Sequence, residues 1–409
     1  MSRLSRFAGR TAFAPFRVRS FRYQWPADLL TAWAFEMETL VLGWYVLTAT
    51  DSVLALTLFG SLQFLGTLLA PIFGVMGDRI GRRGMLCWMR GHFLIMATIV
   101  MTAGLTDNLS PTLVIVTATL VGFVRPSDMV MRSALVGDTM PRELLTSAMG
   151  FSRMTMDSAR IAGALTGAGL VAAVGVGGAY VAVVACYLGA LGFTFGVTRM
   201  RPERNAQVKT TAVRELTDGL AHVATTPLLL ALMLLAFLVN LTCFPITGGL
   251  MPYVARDVYG GAEGLLGWLV AGYATGALLA STTMAVTRPR GRPTRTMLVG
   301  IVVWNLALLT FAQMTDPAYG LPLLFFGGIL QGISMIAMSV TLLSATDITM
   351  RGRVMGVRQL AVYSLPLGLI SAGWLIERIG YAPTVSLFAC VGIAATVAIA
   401  IIWRRALWD

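Results

Sequence analysis

Apolar residues in this chain run in long blocks separated by short polar, glycine- or proline-containing turns. Blocks near residues 26–47, 53–75, 86–106, 111–135, 146–174, 177–198, 226–248, 263–286, 297–315, 320–345, 355–376 and 382–403 each have the length of a helix that crosses a bilayer. Within hydrocarbon the backbone must satisfy its own hydrogen bonds, and a helix does so within one segment. The pattern therefore predicts an all-α membrane protein of twelve transmembrane helices. One long polar segment, 199–225, splits the blocks six and six. The expected organisation is an arm over 1–24, a six-helix bundle over 25–198, a linker over 199–225, a second six-helix bundle over 226–404 and a tail over 405–409. Inside the linker Val213, Leu216, Leu220 and Val223 recur at helical spacing and predict a short surface helix.

Composition agrees. The chain has 409 residues, 56% of them hydrophobic and 12% charged, with mean hydropathy +0.76. A soluble domain carries roughly 25% charged residues. The net charge of +12 is distributed with a direction: 27 of the 31 basic residues fall in the arm, the linker, alternate loops or adjoining helix ends, and Arg125, Arg160, Arg256 and Arg378 are the rest. That asymmetry places both termini in the cytoplasm by the positive-inside rule. It points to lipid contact, with no nucleic-acid partner expected. Residues 1–24 have no apolar core followed by a cleavage site, so the first block should stay as an anchor, and Phe7, Phe13, Phe16 and Phe21 among arginines suggest an arm on the inner leaflet. Cys87, Cys186, Cys243 and Cys390 lie in or beside four different blocks without paired or metal-ligand spacing and are expected as free thiols. With His92 and His222 as its only histidines and no Ser/His/Asp arrangement, the chain is not expected to be an enzyme or to hold a metal or organic cofactor.

Between the second and third blocks lies Gly74-Val75-Met76-Gly77-Asp78-Arg79-Ile80-Gly81-Arg82-Arg83. Gly74 and Gly77 allow close helix approach, Gly81 allows a tight turn, and Asp78 lies within a turn of Arg79 and Arg82, where carboxylate and guanidinium can pair. This loop resembles the diagnostic motif of the major facilitator superfamily, with Met76 and Gly77 as small departures. The stretches Arg132 to Arg142 and Arg351-Gly352-Arg353-Val354-Met355-Gly356 are similar to the transmembrane secretion effector branch, which includes siderophore and drug exporters. The resemblance covers the whole chain and implies two pseudo-symmetric six-helix bundles of the major facilitator fold. It also implies a cytoplasmic gate in which Asp78 and Arg82 engage Asp138 and the helix that begins near Arg353. Internal similarity points the same way: Arg79 to Arg83 is echoed by Arg288 to Arg292, and Asp138 to Gly150 by Asp347 to Gly356. Proton-exchanging exporters often carry a Gly-Pro step in the fifth span, where this chain has Gly163-Ala164.

Charge inside the blocks supplies the candidate chemistry. Asp28, Glu36 and Glu38 fall on one arc of the first helix with Thr31, Phe35 and Thr39, while Leu29, Leu30, Trp33, Met37, Leu40 and Val41 cover the other. The acids should face away from lipid. A central Asp costs roughly 2.5–3.5 kcal/mol and each Leu, Val or Phe returns about 0.3–0.6, so two central carboxylates need partners, water or a proton. Arg125, Asp128 and Arg132, and likewise Arg153, Asp157 and Arg160, make plus-minus-plus stripes on the fourth and fifth helices that offer partners. These charges either form a structural ion-pair network holding the first, fourth and fifth helices together or include a carboxylate that binds and releases a proton. The second half offers the neutral groups Asn240, Asn305, Gln331, Gln359 and Tyr363. Small-residue pairs Gly163/Gly167, Gly272/Gly276 and Gly328/Gly332 are read first as packing faces.

The expected function is secondary transport by alternating access at a bacterial-type inner membrane, by a monomer. Proton-driven export of a small amphiphilic compound leads, with Glu36 or Glu38 as proton carrier, Asp128 and Asp157 next, and Asp28 at the inner edge. Uptake of an organic anion against Arg125 or Arg160 is the alternative, and a non-transporting sensor or scaffold is a third reading.

Overall fold

A computed structural model describes residues 13–67, 73, 76–77, 80–199, 212–287, 292–347 and 350–408. Among these residues the chain is helix and turn, without strands. The first half holds α1 (Arg19–Thr50), α2 (Val53–Leu62, with a 3-10 turn at Leu65–Thr67), α3 (Arg82–Leu105), α4 (Pro111–Thr139) and α5 (Arg142–Gly196). A linker helix, α6 (Ala212–Thr225), follows. The second half holds α7 (Pro227–Thr242), α8 (Glu263–Thr287), α9 (Pro293–Phe311), α10 (Pro317–Ser344), α11 (Arg351–Ala361), α12 (Ser364–Ile379) and α13 (Tyr381–Ile402), with a short α14 (Arg404–Trp408) at the end. Two π-helical turns, Pro245–Gly249 and Val254–Val258, carry the chain from α7 to α8.

Each of the twelve predicted blocks contains helix among its described residues. Nine helices among the described residues are long and apolar enough to cross a membrane. One of these, α5, runs over 55 residues and breaks at Gly175, where φ is 70° and ψ is −179°. A left-handed φ of that kind costs a residue with a Cβ far more than it costs glycine. The chain reverses there. The first limb runs parallel to α1, with Phe151 on Phe16 and Arg160 beside Glu36, while the second returns, with Tyr187 on Glu38 and Thr198 on Ser20.

The first helix differs from its prediction in two ways. It begins at Arg19, so residues 19–24 belong to the rod rather than to the arm. There Phe16, Phe21, Trp25 and Phe151 form edge-on aromatic contacts, with centroids 5.1–5.3 Å apart, that seat the end of the arm against α5. The second difference is that Met37, Leu40 and Val41, expected on the lipid side, are buried. They are covered because α5 approaches with glycines: a Cβ on Gly163 would stand 2.6 Å from Glu36 Cβ, and one on Gly167 would stand 3.3 Å from Met37 Cα. In the second half α8 and α10 cross as closely, Gly276 on the Phe325 carbonyl and Gly328 on the Tyr273 carbonyl. The three glycine pairs thus serve packing. The four cysteines are free thiols.

Hydrogen bonds and ion pairs between the halves cluster toward the face opposite the termini. Arg256 reaches Asp51 (2.6 Å) and the Leu47 carbonyl (2.9 Å), and Trp44 Nε1 donates to Glu263 (3.0 Å). Glu377 accepts from the Ser52 hydroxyl (3.0 Å) and the Leu54 amide (3.2 Å), Ser61 donates to the Pro366 carbonyl (3.2 Å), and Tyr363 to the Leu65 carbonyl (3.2 Å). At the terminus-bearing face the described residues show contacts within a half or with its linker. Arg82 bonds Asp138, Arg83 bonds the Phe195 carbonyl, and Arg353 pairs with Asp218 of α6. Among the described residues the halves are therefore latched at the far face.

Candidate functional site

Three groups of polar side chains surround α1, two of them stacked within the first half and a third turned toward the second half. The lowest is a four-charge network. Asp28 accepts from Arg90 of α3 and has Arg132 Nε at 3.9 Å, while Arg132 pairs with Asp128 one turn away on α4. Arg90 also donates to Thr194, Gln24 donates to the Arg132 carbonyl (2.9 Å), and Arg132 Nη1 donates to the Asp28 carbonyl (3.3 Å). Two guanidiniums and two carboxylates sum to zero charge, and each side chain is at least nine-tenths buried. Such a network tolerates low dielectric because each charge has a counter-charge.

Arg90 is a correction to the sequence reading, which counts it with the basic loop after the second block. It is fully buried, on the α3 face made by Leu86, Met89, Phe93, Ala97 and Val100. That helical spacing is its signal, since a loop residue would not fall in step with five buried positions. Arg132, grouped with the loop cations for the same reason, is 6% exposed.

The middle group centres on Glu38. Its carboxylate accepts from Tyr187 and from Tyr180 (3.3 Å), both fully buried on the second limb of α5. Among the described residues it makes no ion pair. Glu38, Thr39, Gln63, Thr117 and Arg125 border a small cavity of about 20 Å³ inside the first half, room for about one water. Arg125 donates to Thr39 (3.0 Å) and to Gln63, with its guanidinium 4.6 Å from the Phe35 ring centre. The predicted stripe on α4 is therefore divided. Asp128 and Arg132 serve the network below, and Arg125 serves this cavity.

The third group faces the cleft between the halves. Glu36 has Arg160 Nε at 3.7 Å, and the Arg160 side chain is 41% exposed. Asp157 pairs with Arg153 one turn earlier (3.3 Å), so the α5 stripe also splits. Trp33 Nε1 fixes α1 to α5 through Thr166 (2.9 Å), and Ala164 is buried where Gly267 of α8 crosses.

Of the neutral candidates, Asn240 bonds its own helix at the Ala236 carbonyl (2.9 Å) and Gln359 is exposed. Gln331 is buried, and Tyr363 ties α11 and α12 to the turn after α2. Asn305 is buried, donating to the Ile301 carbonyl and receiving the Cys243 thiol. In the gate motif Gly81 has φ of 85° and starts α3, and Arg82 holds both Asp138 (2.6 Å) and the Ala134 carbonyl (2.8 Å). Gly74, Asp78 and Arg79 lie outside the described residues. The start of α11, expected as a docking surface for the loop, bears Arg353 against Asp218 (3.5 Å) of the linker helix.

The residues that sequence reasoning missed are Arg90, Gln63, Tyr180 and Tyr187. The tyrosines stand seven apart with Val183 between them, one buried stripe of a returning helix.

The family model of the transmembrane secretion effectors matches residues 10–408. No curated protein matches by sequence. Among solved structures, the nucleoside transporter NupG superposes with a TM-score of 0.75 at 13% identity, covering 94% of this chain and 99% of that one. The POT family transporter PepTSo gives a TM-score of 0.75 at 13% identity, over 96% and 99% of the two chains. A bacterial homologue of the lysosomal transporter Spinster, inward-facing and unoccupied, gives 0.69 at 16% identity over 96% of each. At these identities the likeness carries the fold, two bundles of the major facilitator type. The sequence match decides the family: this chain is a membrane transporter belonging to the transmembrane secretion effectors of the major facilitator superfamily.

Proposed function

We propose that the protein exports a small amphiphilic compound in exchange for protons, as a monomer with twelve crossings and both termini in the cytoplasm of a bacterial-type cell. The observation that carries this reading is the pairing of the five buried or half-buried acids on α1, α4 and α5. Asp28 and Asp128 sit in a neutral network, Asp157 has Arg153 and Glu36 has Arg160. Glu38 has tyrosine hydroxyls instead of a cation and borders a cavity with Arg125 across it. Hydroxyl partners serve a carboxylate in either protonation state, whereas protonating a salt-bridged acid strands its guanidinium. Glu38 is thus the acid that can gain a proton at least cost to its neighbours. Losing the proton draws Arg125 from Thr39 and Gln63, which links proton occupancy to the packing of α1, α2 and α4.

Alternation follows from the latch. With the halves joined at the far face, cargo enters from the terminus-bearing side, and outward opening requires the Arg256, Glu263 and Glu377 contacts to part. Proteoliposomes carrying the protein, an imposed pH gradient and a panel of cationic, neutral and anionic fluorescent amphiphiles test the reading. Wild-type protein should move at least one dye only when the gradient is present. Glu38→Gln should keep downhill movement and lose gradient drive. Undiminished gradient drive in Glu38→Gln would remove Glu38 from the role. The half-exposed Arg160 favours uptake of an organic anion as a second reading. Inward accumulation in right-side-out vesicles would select it.

A further inference from the structure

Three basic residues lie on α11, and two are occupied. Arg351 Nε donates to the Thr346 carbonyl (3.3 Å), and Arg353 pairs with Asp218. Arg358 is half-buried, and its contact among the described residues is the Ser339 hydroxyl of α10 (3.1 Å), with no ion pair. Ser339 in turn donates to the Met335 carbonyl (2.8 Å), which leaves it acting only as an acceptor for Arg358. A guanidinium has five N–H donors in a planar fork, so most of this one is unused.

From the other half, Arg153 of α5 lies within electrostatic reach of Arg358. Its side chain is 72% exposed and shares one carboxylate, Asp157. Two turns further along the same limb stands Arg160, which shares Glu36. Asp157 balances one of these two guanidiniums, and the pair keeps a net positive charge. Like charges held within electrostatic reach of one another are unfavourable until an anion enters between them.

We infer that the terminus-facing mouth of the cleft binds the anionic head of an amphiphile, a carboxylate, sulfonate or phosphate, between Arg358 and Ser339 on one wall and Arg153 on the other. This inference names the substrate class within the transport reading above. The same chemistry belongs to a free amphiphilic anion and to an acidic phospholipid headgroup. The fork geometry suits both, because planar oxyanions accept two parallel N–H bonds. Arg160 then meets the anion two turns deeper once Glu36 releases it.

The test is equilibrium binding without any gradient, so its failure and that of the Glu38 reading are distinguishable. Protein in an uncharged maltoside detergent is titrated with a dansyl-labelled long-chain carboxylate and with the matching trimethylammonium, read by energy transfer from tryptophan. Wild-type protein should prefer the carboxylate. Its affinity should fall about tenfold or more in Arg358→Gln and less in Arg358→Lys, which keeps the charge. Arg153→Gln should weaken the carboxylate and not the ammonium. Equal binding of the two probes by wild-type protein, or unchanged carboxylate affinity in Arg358→Gln, overturns the inference. If Arg358→Gln does not fold, the salt series on wild-type protein decides: carboxylate affinity that is flat between about 20 and about 300 mM sodium chloride overturns it. Nanodiscs of phosphatidylcholine with and without phosphatidylglycerol identify the source. Displacement of the probe by phosphatidylglycerol assigns the site to a lipid headgroup, and undisturbed binding assigns it to a free amphiphile.

Discussion

Replacing Asp28 tests how the first bundle is held together. Its carboxylate is the counter-charge of Arg90, whose side chain is 0% exposed and whose other partner is the neutral Thr194. Asp28→Asn keeps the shape, turns a network of zero charge into one of +1, and leaves a buried guanidinium facing an amide. Breaking one side of a buried pair costs about 3–5 kcal/mol, because the remaining charge stays desolvated. Removing both sides with apolar groups, as in Asp28→Leu with Arg90→Met, should cost far less than the sum of the single changes, since Arg132 keeps Asp128. The expected coupling is at least about 2 kcal/mol. Reversible unfolding in mixed micelles with rising dodecyl sulfate, followed by tryptophan fluorescence, measures each corner of the cycle. Additive single changes, or an Asp28→Asn protein within about 1 kcal/mol of wild type, would refute the network as an electrostatic unit.

Gly328→Ala places a Cβ about 2.0 Å from the Tyr273 carbonyl oxygen, and thermal melts should show a folded fraction much reduced, by about 2 kcal/mol or more. Arg256→Gln removes the exposed bond to Asp51 and the one to Leu47, and should favour outward opening by about 1 kcal/mol, roughly fivefold. The readout is the maleimide labelling rate of Thr57→Cys, a fully buried position under the latch, and an unchanged rate would contradict the assignment.

Much of the architecture was legible because hydrocarbon leaves the backbone few choices. Long apolar blocks gave the helices, and the glycine pairs at 163/167 and 328/332 gave the crossings. The acids on α1 were legible as a buried face. What sequence could not rank was their partners. The plus-minus-plus stripes on α4 and α5 offered partners for those acids without assigning them: Arg125 turns to Gln63, Arg132 reaches Asp28 and Asp128, and Arg160 reaches Glu36. Spacing along one helix says which residues share a face, and only the approach of a second helix decides what that face meets. Arg90 was lost for a related reason. Counting cations for orientation treats every arginine near a turn as solvated, and two helical turns past Gly81 this one is already inside the protein. The far-face latch depends on residues at block ends, where periodicity carries no signal.

The break at Gly175 has a practical consequence. The fifth and sixth rods are joined by one residue, and Gly177 beside it lies directly against Gly104 at the end of α3. There is no slack at that corner to accept an inserted epitope, a protease site or a fluorescent tag. The two limbs also share α1 as a neighbour, so a tilt of α1 is felt by Arg160 through Glu36 and by the hydroxyls of Tyr180 and Tyr187 through Glu38.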